Sequence, residues 1–75
     1  MNLDVFIKQI IEQFDNEDLH LVADSNFKEI AEYSSLVALS IIGVIDEEYN
    51  IIVSGDDMRQ VSTIGELFEL VKSKK

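Results

Sequence analysis

The run LVALSIIGVI, Leu36 to Ile45, is apolar on more than one side, broken only by Ser40 and Gly43. A membrane-spanning helix needs about 20 such residues, and this run has ten. The pattern continues from Ser35 to Tyr49 and closes on the acidic DEE. That length predicts a helix, despite the β-branched residues that favour strand. The whole chain has 75 residues, room for one domain spanning 1–75 with one core. A domain of this size buries only about 60% of its unfolded surface. It cannot cover every side of one helix, so part of this run must face a cavity, a ligand or a partner.

The flanking segments supply helices that can cover the rest. Leu3, Phe6, Ile7, Ile10, Ile11 and Phe14 recur at helical spacing, with Asp4, Lys8, Gln9, Glu12 and Gln13 opposite. This predicts an amphipathic helix over Asn2 to Phe14. At the other end, Thr63-Ile-Gly-Glu66 matches a capping box. Ile64, Leu67, Phe68 and Val71 follow it as one apolar stripe, and KSKK places cations at the negative C-terminal end of that helix. Asp56 to Val61 predicts a short helix, and Asn50 to Gly55 an extended stretch that packs Ile51 and Val53. Asp15 to Glu32 is a long connection, with turn chemistry at Asp24-Ser25-Asn26. Its apolar residues predict a loop laid across the domain that buries Phe27 and Ile30; loops this long in small domains are often functional. The expected fold is all-α: a four-helix bundle of three longer helices and one short one, with a long loop between the first two.

Charge narrows the functional classes. Fifteen acidic residues against six basic ones give a formal net charge of −9. Such a surface repels nucleic-acid phosphates and anionic membranes and attracts basic protein patches. It also repels itself, most strongly at low ionic strength. The chain has no cysteine, which removes disulfides and thiolate metal sites and fits a cytoplasmic protein. The opening MNLDVFIKQIIEQF lacks the basic start of a signal peptide. His20, the one histidine, stands in the loop and reads as an exposed residue, because triads and metal sites need convergent partners. SGDDMRQ lacks calcium-loop spacing, and Gly43, Gly55 and Gly65 are isolated, so no phosphate cradle exists. No catalytic or metal-binding residues are expected; the chain does not read as an enzyme.

Two serines remain at the head of the apolar helix. Ser34 suits the N-cap, where its oxygen accepts a bond from an unpaired backbone N–H. Ser35 is then the first helical residue, and a phosphate attached there would meet free N–H groups and the positive end of the helix dipole. Spacing alone does not select it, since serine is an ordinary residue at a helix start.

The order of four features resembles the acyl carrier protein family, over nearly the whole chain. EEYNI, Glu47 to Ile51, is similar to the acidic-acidic-aromatic stretch that closes the family's second helix. Counting back from it places Ser35 at the family's modified serine and Leu36 at the leucine of its D-S-L motif. Phe27, eight residues before Ser35, matches the aromatic that anchors the first loop, and VSTIGELFELV, Val61 to Val71, resembles the last turn and helix. Three positions depart from the pattern. Ser34 stands where the family usually has aspartate, Glu32-Tyr33 replace a glycine-containing turn, and the start of the second helix is neutral at Val37, Ala38 and Ser40.

The resemblance implies a covalent 4′-phosphopantetheine, transferred from coenzyme A to Ser35 by a phosphopantetheinyl transferase, with Ser34 and Leu36 as the flanking motif. The arm would carry acyl groups as thioesters to acyl-transferring or condensing enzymes of fatty-acid or specialised lipid or polyketide-type biosynthesis. The expected partner contacts are Val37, Ile41, Asp46, Glu47 and Glu48, read more through apolar surface near Ser35 than through charge. Leu39, Ile42 and Ile45 are expected to line a helix interface that shelters an alkyl chain. The protein is expected to be a monomer, without nucleic-acid or membrane partners. Two other readings stay open: an unmodified acidic interaction module, in which both serines only cap, and an aminoacyl carrier.

Overall fold

A computed structural model describes residues 1–16 and 18–75. In chain order it has α1 (Leu3–Glu12), a single 3-10 turn (Phe27–Glu29), α2 (Ser35–Tyr49), α3 (Gly55–Gln60) and α4 (Ile64–Ser73). The expected three longer helices, one short helix and long first loop are all present. Among the described residues the only β-type pairing is an isolated antiparallel bridge between Asn26 and Thr63.

Each helix begins where a short polar side chain can satisfy a free amide. Asn2 Oδ1 accepts from the Val5 N–H at 3.1 Å to start α1. The Asn2 to Phe14 expectation overshoots at both ends. The last amides turn to tighter bonds, Gln13 N–H to Ile10 O and Phe14 N–H to Ile11 O, both 3.0 Å, and Asp15 then takes a left-handed φ of 55° that turns the chain away. Phe14 lies beyond the helix yet is only 2% exposed, so its side chain still completes the stripe. At α4, Thr63 Oγ1 accepts from Glu66 N–H at 3.1 Å, and Glu66 Oε1 accepts from Thr63 N–H at 2.9 Å and from Ser62 N–H at 2.8 Å. The capping box was legible in TIGE. A second box, Ser54 with Asp57, starts α3 one residue earlier than expected; S-x-x-D carried that signal. Val61 falls outside α3 in extended backbone and is buried.

α1 packs against α4 and α2. Phe6, fully buried, meets Phe68 edge-on at 5.3 Å and Tyr49 at 5.9 Å between ring centres. Aromatic pairs of this geometry add about 0.5–1.5 kcal/mol beyond area burial. Among the described residues the core holds no buried polar or charged residue. α2 contributes only Ile41 and Ile45 to the fully buried set, four residues apart on one face. Leu36 and Leu39 on other faces are 74% and 65% exposed, so the all-round apolar helix is indeed left partly uncovered.

The first loop is fastened to the start of α4. Phe27 N–H donates to Ser62 O at 3.2 Å, Ile64 N–H to Ser25 O at 3.2 Å and Gly65 N–H to Ala23 O at 2.8 Å. Gly65 permits the last contact, since a Cβ there would lie 3.2 Å from the Ala23 oxygen. Phe27 is fully buried, as expected, and Ile30 is half-buried against the core. Burying a side chain such as Phe27 is worth about 1.5–3 kcal/mol.

Candidate functional site

The head of α2 is set by the residues just before it. Tyr33 closes a turn through its N–H to Ile30 O at 2.9 Å. Its ring meets Phe27 edge-on at 5.7 Å and Phe14 at 6.3 Å. Burial raises the pKa of its phenol above the ordinary tyrosine value, so the ring is a neutral packing element. Asn16 Nδ2 donates to Glu32 Oε2 at 2.9 Å, tying the turn to the far side of the loop. Together these contacts fix the backbone that enters Ser34.

Ser34 is the N-cap. Its backbone is extended (φ −154°, ψ 173°), and its Oγ accepts from Val37 N–H at 3.2 Å. Ser35 follows as the first helical residue and is exposed. Among the described residues its hydroxyl has no hydrogen-bond partner, and the Ser35 and Leu36 amides are likewise unpaired. Two adjacent serines thus take opposite roles: one oxygen is spent on the helix, the other points free beside unpaired N–H donors. A phosphodiester on Ser35 Oγ fits this setting, since the residue is exposed, its hydroxyl is unbonded among the described residues, and the helix end favours an anion.

Ser35 borders an open cleft of about 330 Å³ between α2, α3 and the 3-10 turn. Tyr33, Ala38, Leu39, Ile42 and Met58 form its apolar walls, and Lys28 and Arg59 also line it. Of the three residues expected along a sheltering interface, Leu39 and Ile42 line this cleft, whereas Ile45 is fully buried in the core. The opposite wall, Gly55, Met58 and Arg59, was not anticipated. It comes from a separate helix, and no spacing within α2 could signal it.

The expected partner surface divides. Asp46, Glu47 and Glu48 are all exposed at the C-terminal end of α2, and Val37 is half-buried near its start. Ile41 is corrected: it has no exposed surface and belongs to the core. In a helix that is apolar all round, the inward side is chosen by what packs against it, and Ile41 falls with Ile45 in the core cluster. His20 is exposed in the first loop. The SGDDMRQ carboxylates are engaged locally: Asp57 accepts from the Ser54 amide to close the capping box and pairs with Lys74 at 3.0 Å, while Asp56 forms an exposed pair with Arg59 at 2.6 Å.

A family model described as a phosphopantetheine attachment site matches residues 5–71. The solution NMR structure of a holo acyl carrier protein from Geobacter metallireducens is similar, with a TM-score of 0.79 at 22% identity. The match covers 96% of this chain and 83% of that one. At this identity the likeness speaks for the fold.

Proposed function

We propose, since this chain belongs to the phosphopantetheine attachment-site family, that it carries acyl groups on an arm joined to Ser35. The cofactor of that family is 4′-phosphopantetheine, held covalently. When bound, it supplies a terminal thiol on which an acyl group rides as a thioester. The observation that carries the reading is the division of labour at the head of α2: Ser34 Oγ is engaged as the cap, and the exposed Ser35 Oγ is left free.

In this reading the protein is a carrier and the catalysis belongs to its partners. A phosphopantetheinyl transferase loads Ser35, and acyl-transferring or condensing enzymes then receive the cargo. Tethering raises the effective concentration of cargo at each partner. Leu36 and Leu39 offer apolar contact beside Ser35, while Asp46, Glu47 and Glu48 lie roughly 18 Å further along at a rise of about 1.5 Å per residue. A partner that reads both must span most of α2. Fatty-acid and specialised lipid or polyketide-type biosynthesis in the cytoplasm both use this chemistry.

The test is intact mass after incubation with coenzyme A and a broad-specificity phosphopantetheinyl transferase. The wild type should gain one arm. Ser35→Ala should gain none. Ser34→Ala should still be loaded while losing about 1 kcal/mol of stability with its cap. A wild type that stays unmodified would favour an unmodified interaction module, and loading of Ser35→Ala would move the attachment elsewhere.

A further inference from the structure

From residue 9 to residue 71 the sequence contains only two cationic side chains, Lys28 and Arg59. The chain has fifteen acids in all, so positive charge in this span is scarce. Both cations line the same cleft as Ser35. They reach it from different elements, Lys28 from the 3-10 turn and Arg59 from α3.

Neither is committed to a strong alternative. Among the described residues Lys28 has no carboxylate within ion-pair distance, although its charge is felt weakly by the Glu66 carboxyl. Arg59 pairs with Asp56, but the two side chains are 76% and 80% exposed. Water and salt screen such a pair, and its partner is readily exchanged. A guanidinium meets a phosphate with two parallel N–H donors, which an ammonium does not match.

We propose that Lys28 and Arg59 clamp the phosphodiester of the arm on Ser35, from the two sides of this cleft. This rests on the Ser35 reading above. A phosphodiester keeps its negative charge at neutral pH, and along α2, whose charged side chains are Asp46, Glu47 and Glu48, it finds no cation. Between Lys28 and Arg59 it meets local attraction. The clamp biases the root of the arm toward α3, so that the rest of it starts over the walls formed by Leu39, Ile42 and Met58. The two cations are positioning residues for the arm and take no part in its chemistry.

The experiment is phosphorus-31 NMR of the loaded protein. Wild type, Lys28→Gln, Arg59→Gln and the double variant are compared, with Lys8→Gln as a control outside the cleft. Loading is verified first by intact mass, and helical content by circular dichroism. The wild-type phosphorus resonance should shift with added salt as the clamp is screened, and Lys8→Gln should match it. Each single variant should lose part of that salt-dependent shift and the double variant nearly all of it, with slower transverse phosphorus relaxation, a narrower line, as the arm root loosens. Asp56→Asn, which releases Arg59 from its carboxylate, should enlarge the shift and keeps the test open should the double variant unfold. Fully loaded proteins with the same shift and relaxation in every variant, Asp56→Asn included, would overturn the clamp and leave Ser35 intact as the attachment point. Absence of the arm at Ser35 in the wild type would overturn both.

Discussion

Asp57 answers to three groups at once. Its Oδ2 accepts from Ser54 N–H at 3.0 Å and from Lys74 Nζ at 3.0 Å, while its own N–H donates to Ser54 Oγ at 3.0 Å. The Ser54 backbone bond foremost, then Lys74, hold its pKa below the usual carboxylate value. Glu66 is lowered in the same way by the Thr63 and then the Ser62 amides. A depressed folded-state pKa contributes stability that is complete above the unfolded value and lost as pH falls through the folded one. For aspartate the unfolded value is about 3.9. Asp57→Asn, which keeps an oxygen for the cap but removes the charge, should therefore lower the urea midpoint at pH 7. That deficit should shrink as pH falls below about 4. A deficit that stays constant with pH would mean the charge is idle. Caps of this kind are legible in sequence because all their parts lie within four residues. The cations at the cleft were not, since Lys28 and Arg59 meet only after the chain folds.

At the scale of elements, α2 decides how the cleft behaves. Its existence, bounds and cap were readable from Ser34 to Tyr49. Which of its apolar residues turned inward was not: Ile41 is core, whereas Leu39 is 65% exposed. The reason is physical, because an apolar residue on every side gives no internal contrast and the packing partners select the face. Leu39 and Ile42 on α2 oppose Met58 on the six-residue α3. An acyl chain laid between them would gain roughly 0.8 kcal/mol for each CH₂ removed from water. The loaded protein should thus melt at higher temperature as the chain is lengthened, until the cleft is filled. A flat series of melting temperatures, from short to long chains, would show that the cargo stays in solvent.

The whole molecule carries its charge on a small body. Its extents are 31 × 24 × 21 Å, and the net charge is −9. The Debye length is about 30 Å at 0.01 M salt and about 8 Å at 0.15 M. At low salt every carboxylate therefore feels nearly all the others, and at physiological salt only its neighbours. The urea midpoint should rise between these two conditions, and a midpoint indifferent to salt would show that repulsion does not limit the fold. The net charge behind this expectation is read from composition alone. The path of the first loop was a different matter: Phe27 was marked as an anchor, but its seat beside Ser62 and the contact of Ala23 with Gly65 depend on residues far apart in sequence.

That fastening makes the long connection two short ones in mechanical terms. The stretch from Asp15 to Val22 ends at the seam with α4, and a fresh span begins after Phe27 and runs to Ser34. Lengthening the first span between Asp18 and Val22, past the tie from Asn16 to Glu32, leaves the serine hydroxyl where it is, because the seam absorbs the slack. Lengthening the second displaces it directly, so evolution has freedom to vary this loop on one side of the seam and little on the other.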